Sequence, residues 1–176
     1  MAKIVNIKEY RTRVIEDKAF GHWNRRFGES YGETTKVSDL SDKCIYLLAL
    51  SGDESTTAYY ELIMGISDLG KASEFSFLNK KNQLRVIDIH LFLADQVRFE
   101  MMRRLKWIKN LPSEGYTLIE MVRSFDKVDA VCREAPPLLS ETHRAYNYYK
   151  ELTARDKEAF IRLIIPKAIE VFGKEM

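Results

Sequence analysis

The sequence has little of what tight turns and covalent cross-links require. Its 176 residues include only eight glycines, four prolines and two cysteines. This scarcity disfavours many short strands joined by tight turns and favours long helices. Cys44 and Cys132 lie far apart without CxxC spacing, so we predict two buried thiols in a reducing compartment. A chain of this length can fold without cross-links, as a single domain over residues 1–176.

Long apolar runs are also missing. The longest stretch without a formal charge is the nine residues 44–52, whereas a helix that crosses a bilayer needs about 20 apolar residues. Near the N-terminus the apolar residues form only a short stretch, broken by Asn6, which is too short for the core of a signal peptide. We therefore predict no membrane association and a cytoplasmic protein.

Neither sign of charge is in clear excess. The chain has 28 Lys and Arg against 26 Asp and Glu, a formal net charge of +2, and the two halves are each nearly balanced. A dedicated nucleic-acid-binding protein usually shows a basic excess, because neutralising phosphates supplies most of its affinity. The balance therefore argues against nucleic acid as a partner.

Signatures of catalysis and of nucleotide binding are absent. The glycines form neither GxGxxG nor a GxxxxGK[ST] phosphate loop, and there is no GxSxG or SxxK nucleophile motif. His22, His90 and His143 lie in three different segments without the spacing of metal ligands. We predict no catalytic residue, no metal and no cofactor, and favour a protein that is not an enzyme.

Helical signals recur along the chain. Apolar residues spaced by three and four indicate a helix over 55–69, ended by Gly70. Thr117 and Glu120 form a capping box that opens a helix to about residue 134, and Thr153 opens another, which Pro166 kinks or restarts. We predict an all-α, single-domain bundle of about six to eight helices around a long central helix, about residues 83–110.

Three segments are less clear-cut. Residues 4–20 have a helical pattern that glycines from Gly21 onward interrupt. The buried apolar run at 44–50 fits either a helix or a strand, and nearby serines with acidic neighbours favour the helix. A further helix is expected to start at Ser140, with Ala145 and Tyr149 on one face.

The central helix shows two apolar stripes. One has spacings of three and four, with Arg98 as its polar member: Leu84, Ile87, Leu91, Ala94, Met101, Leu105 and Ile108. The other lies on a different side: Val86, Ile89, Leu93 and Val97. A helix with two apolar faces has to be covered on both, so we expect neighbours on either side.

Four polar residues interrupt this helix, namely Asp88, His90, Asp95 and Arg98. In one interpretation they are structural, with Asp95 paired to Arg98 three residues on and His90 hydrogen-bonded in the core. In another they form a small buried polar pocket in which His90 titrates near neutrality with an aspartate as partner. In a third they face solvent as ordinary charges.

Further residues are candidates for surface contacts. Trp23 with Arg25 and Arg26 fits either stacking on bases or docking of a terminal helix onto the bundle. A basic end of the central helix and an acidic segment at 29–61 suit pairing within the chain or with a second copy. The remaining candidate contact residues are Arg103, Arg104, Lys106, Tyr146 and Tyr148.

These observations leave three hypotheses in order of preference. The first is an interaction or assembly module that self-associates, with a homodimer favoured and another protein partner also open. The second is a small-molecule-binding protein or enzyme with a polar pocket around His90, Asp88, Asp95 and Arg98. The third is a weak nucleic-acid-binding surface on the basic half of the central helix.

Overall fold

The fold is given by a computed structural model that describes residues 6–176, apart from the side chains of Thr12 and Glu16. Over this range the chain is all-α, as predicted, and its only β-structure is an isolated antiparallel bridge between Ile108 and Leu139. The α-helices are α1 Ile7–Phe27, α2 Asp42–Ala49, α3 Asp53–Ile66, α4 Lys80–Arg104, α5 Leu118–Arg123, α6 Phe125–Glu134, α7 Tyr146–Tyr149, α8 Ala154–Leu163 and α9 Ile165–Glu175. Two 3-10 helices span Val37–Asp39 and Ala72–Phe77.

Several helix starts lie where capping chemistry predicts them. The Ser41 hydroxyl accepts a hydrogen bond from the Cys44 amide at 3.2 Å, so the apolar run that follows is helical. Thr117 and Glu120 form the predicted capping box at the start of α5. Thr153 caps α8, and Pro166 lies in the first turn of α9, where its missing N–H removes no helical hydrogen bond.

Three predicted boundaries are wrong. Helix α1 runs through Gly21 to Phe27 and ends at Gly28, because buried side chains outweigh the roughly 1 kcal/mol that an interior glycine costs. A break at Ser124 divides the predicted helix over 117–134 into α5 and α6. The helix expected from Ser140 is confined to α7, and the Ser140 amide donates a 2.7 Å hydrogen bond to the carbonyl of Trp107. Residues 4 and 5 of the predicted first helix lie outside the described range.

The predicted end of the central helix is also wrong. Helix α4 ends at Arg104, six residues before the expected limit. The Trp107 amide donates to the carbonyl of Met102 and the Lys106 amide to that of Arg103, each at 2.9 Å, with Lys106 at φ +62. This is a Schellman motif with a lysine at the left-handed position, where glycine is usual.

The core lies where α1, α3 and α4 meet α2 and α9. Helices α1 and α3 approach closely, since a Cβ added to Gly65 would lie 2.7 Å from the Cα of Ala19. Trp23 is buried in this contact, and its indole N–H donates a 2.7 Å hydrogen bond to the carbonyl of Ala58. Side chains N-terminal to Ala19 on α1 are exposed or half-buried where they are described. None of the helices in residues 6–176 combines the length and apolar character that spanning a membrane demands.

Candidate functional site

Helix α4 buries one of its two predicted apolar stripes. Val86, Ile89, Leu93 and Val97 are each at most 1 % exposed. In the other stripe Ala94 and Met101 are buried, whereas Leu84 and Leu91 are 51 % and 59 % exposed. The expectation that neighbours cover both faces is therefore wrong for the first half of α4.

A cavity of about 770 Å³ lies beside Leu91, between α4, α6 and α8. Phe92 and Phe125 meet edge to face at 5.5 Å and form part of its wall. Arg162 of α8 lies over the Phe99 ring, 6.0 Å from its centroid, and also lines the cavity. The apolar lining residues are Leu91, Phe92, Phe99, Pro112, Phe125, Cys132, Pro136, Pro137 and Ile161. We call this space the groove.

The charged residues of the groove are acidic in excess. Its lining includes four carboxylates, Asp88, Asp95, Asp129 and Glu158, and two guanidinium groups, Arg133 and Arg162. Both arginines form ion pairs within the groove, Arg162 with Asp95 at 2.9 Å and Arg133 with Asp129 at 3.0 Å. The exposed Asp88 and Glu158 therefore give its rim a net negative charge.

Two buried polar atoms also lie on the groove. Gln96 is 3 % exposed, and its carbonyl oxygen accepts no hydrogen bond from the described residues. Burial raises the pKa of the Cys132 thiol to about 11, so the thiolate is scarce at neutral pH. The described part of the groove therefore offers apolar area and negative charge, without a reactive nucleophile.

The four polar residues predicted on α4 do not share one pocket. Asp88 and Asp95 line the groove, as their seven-residue spacing suggests. Asp95 pairs with Arg162, so the predicted ion pair with Arg98 is wrong. Arg98 instead donates to the carbonyl of Ala49, the last residue of α2, at 3.1 Å and to the hydroxyl of Ser51 at 3.2 Å.

His90 lies against two tyrosine rings of α3. Its ring centroid is 4.8 Å from that of Tyr59 and 5.5 Å from that of Tyr60. The Tyr59 hydroxyl donates to the carbonyl of Leu48 at 3.0 Å, and burial raises its pKa. Burial lowers the pKa of His90, and the charge of Arg98 lowers it further. The interpretation in which an aspartate holds His90 near neutrality is therefore wrong, because its charged neighbour is a cation.

This environment predicts a pH dependence of stability. An unfolded chain protonates His90 below about pH 6.5, whereas the folded protein resists that proton because the pKa of His90 is lowered. The free energy of unfolding should therefore be largest above that pH and decline as the pH falls below it. Urea unfolding of the wild type and of His90→Phe, which keeps a ring between the tyrosines, should show the shallower decline in the variant. If the free energy of unfolding declined equally with falling pH in the wild type and in His90→Phe, the lowered pKa of His90 would be contradicted.

A buried carboxylate that sequence reasoning missed lies in the basic half of α4. Glu100 is 1 % exposed and accepts hydrogen bonds from Arg103 at 2.7 and 3.0 Å and from Arg104 at 2.9 Å. Arg104 also pairs with Asp42 at 2.8 Å and donates to two carbonyls before α2, those of Ser38 and Leu40. Spacings of three and four from Glu100 to the two arginines were the available signal.

Some of the other predicted surface residues pack or pair within the chain, and others remain at the surface. Trp23 is 1 % exposed, so it docks α1 onto the bundle and is not available to stack on bases. Arg26 pairs with Glu61 at 2.7 Å, and Arg25 contacts His22 at 3.1 Å. Tyr148 and Lys106 are exposed, and Tyr146 is half-buried.

Intrachain ion pairs join much of the basic and acidic surface. The pairs Arg104 with Asp42 and Arg26 with Glu61 and Glu54 link basic residues to the acidic segment at 29–61. These arginines therefore already have partners within the chain. Residues 6–176 bring together no group of three His, Cys, Asp or Glu side chains suited to a metal ion.

Comparison of the chain with protein-family models, with curated proteins and with solved structures found no match.

Proposed function

We propose that the protein is an interaction module that self-associates as a homodimer through the first half of α1 and the groove. The observation that carries this proposal is a helical segment with two exposed apolar side chains. We call residues 7–18 of α1 the arm. Ile7 and Tyr10 in the arm are 70 % and 61 % exposed, and Val14 continues their stripe at spacings of three and four.

An exposed amphipathic helix is typical of a segment that docks into an apolar groove of a partner. Isolated helices of about 12 residues are marginally stable in water, so an arm that gains a partner also gains order. The exposed Leu91 at the mouth of the groove offers apolar area to such a helix. The arm and the groove thus each offer exposed apolar area to the proposed contact.

Charge supports the same pairing. Arg11 and Arg13 are exposed on the arm, and the rim of the groove carries the excess negative charge of Asp88 and Glu158. Opposite charges on the two surfaces favour the docked orientation and speed the encounter. An arm that docks into a second copy creates the same contact in return, which closes a two-fold dimer.

We also propose a reducing, cytoplasmic location, in which the two buried thiols stay free.

Light scattering coupled to size-exclusion chromatography tests the self-association. The wild type, of 20.6 kDa, should elute with about twice that mass. Arg11→Glu with Arg13→Glu, and Asp88→Lys with Glu158→Lys, should each give monomers. An equimolar mixture of the two double variants should recover a dimer, because each arm then meets a groove of opposite charge.

The control replaces an exposed apolar residue outside both surfaces. Phe77, in the second 3-10 helix, is 85 % exposed, and Phe77→Ser should leave the dimer intact. A wild type that stays monomeric over a hundredfold range of concentration would refute self-association. A dimer that Phe77→Ser disrupts, and that the arm and groove variants leave intact, would place the interface elsewhere.

A further inference from the structure

A second cavity, of about 370 Å³, lies at the C-terminal end of α4 and is independent of the groove. It is formed by the turn after α4, the segment that precedes α7, and α9. The bridge between Ile108 and Leu139 joins the first two of these segments. The lining residues are Leu105, Lys106, Trp107, Thr142, His143, Arg144, Lys167 and Val171.

The charges of this lining are all positive. Lys106, Arg144 and Lys167 contribute three cations, and none of the described lining residues is acidic. Lys167 pairs with Glu170 at 3.2 Å, but Glu170 also pairs with Lys174 at 2.9 Å, so the positive excess remains. The neighbouring carboxylate of Glu141 is held by Lys109 at 2.6 Å, outside the lining. Three cations around one concave space attract an anion.

His143 adds a neutral hydrogen-bond donor. Its Nδ1 accepts a 3.1 Å hydrogen bond from the Ala145 amide, so the neutral ring carries its proton on Nε2. Burial lowers the pKa of His143 and the charge of Arg144 lowers it further, which keeps the ring neutral and this tautomer fixed. The Trp107 ring lies 5.0 Å from the imidazole, at 75°, and gives the cavity an aromatic wall.

Lys106 occupies a position that does not suit a lysine backbone. Its φ of +62 is the left-handed conformation in which the Schellman motif normally has glycine or asparagine. Lysine therefore destabilises this turn relative to either of those residues. The Lys106 side chain lines the cavity, so this turn places a cation there.

We propose that this cavity binds a phosphate group, either free or as part of a small phosphate monoester. Lys106, Arg144 and Lys167 supply the positive charge, and the Thr142 hydroxyl and the His143 ring supply hydrogen-bond donors. The volume exceeds that of one phosphate and leaves room for an organic group against Trp107.

Isothermal titration calorimetry of the whole chain at constant ionic strength tests this proposal, with inorganic phosphate, adenosine monophosphate and adenosine as ligands. Both phosphate compounds should bind saturably and adenosine should not. Tighter binding of the monophosphate would identify an ester as the ligand, and equal binding would identify free phosphate. Lys106→Gln with Arg144→Gln should weaken phosphate binding at least tenfold. Both side chains are exposed, so the variant should fold.

The matched control is Lys71→Gln with Lys81→Gln, which removes the same charge from exposed positions outside the cavity. This variant should bind phosphate as the wild type does. The proposal fails if the wild type binds neither phosphate compound, if adenosine binds as well as its monophosphate, or if both double variants lose affinity equally.

Discussion

Replacing Glu100 with alanine should lower the free energy of unfolding by about 2–3 kcal/mol, because the half-buried Arg103 and Arg104 lose charge-assisted hydrogen bonds to it. Glu100 is 1 % exposed and accepts hydrogen bonds from both Arg103 and Arg104. Without it Arg104 keeps its ion pair with Asp42 and its two carbonyl acceptors, whereas Arg103 loses both of its hydrogen bonds to Glu100. Urea unfolding followed by circular dichroism measures the loss.

Two further variants separate charge from packing. Glu100→Gln keeps a carbonyl oxygen for the arginines and should lose less stability than Glu100→Ala. Glu170→Ala removes an exposed carboxylate paired with Lys167 and Lys174, and its effect should lie near the error of the measurement. If Glu100→Ala and Glu170→Ala destabilise the protein equally, the buried network does not have the role assigned to it.

Replacing Trp23 with alanine should lower the free energy of unfolding by about 3–5 kcal/mol, as truncation of a buried tryptophan leaves a large void. Its ring meets Phe20 and Phe27 edge to face, at 6.2 and 5.7 Å between centroids. The variant also loses the hydrogen bond from the indole to the Ala58 carbonyl, which keeps its helical hydrogen bond within α3. Urea unfolding followed by circular dichroism is again the measurement.

Two control variants separate the loss of core packing at Trp23 from the mere truncation of an aromatic side chain. Trp23→Phe keeps an aromatic ring in the contact and should lose less stability than Trp23→Ala. Phe77→Ala truncates an aromatic residue that is 85 % exposed and should change stability by about 0.5 kcal/mol or less. If Trp23 formed an exposed stacking surface and were not part of the core, Trp23→Ala would change the free energy of unfolding as little as Phe77→Ala does.

The helical class could be predicted because its signals are local. Capping residues such as Ser41, Thr117 and Thr153 act within one turn of the helices they begin, and the structure has helices after all three. The end of α4 could not be predicted in this way. The residue in the left-handed conformation is Lys106 and not glycine. The hydrogen bonds that end the helix join backbone groups, so they require no particular residue types that a sequence would show.

The candidate site depends on which face of each helix is covered. The spacing of Asp88 and Asp95 placed them on one edge, and both line the groove. The same periodicity could not show that Leu91 stays exposed, because that depends on how far α6 and α8 lie from α4. Asp95 pairs with Arg162, which is 67 residues away in sequence, and such a partner is set by tertiary packing alone.

The unequal burial along α1 has a consequence for its dynamics. From Ala19 onward the helix includes core residues, whereas the described side chains before that residue are at most half-buried. In a protomer whose arm is not docked, fraying of the first three turns therefore exposes little buried area, so their amides should exchange with deuterium far faster than those around Trp23. The part of α1 from Ala19 onward thus unfolds with the domain, whereas the part before it can unfold by itself. Proteolytic removal of that first part should leave the rest of the domain folded.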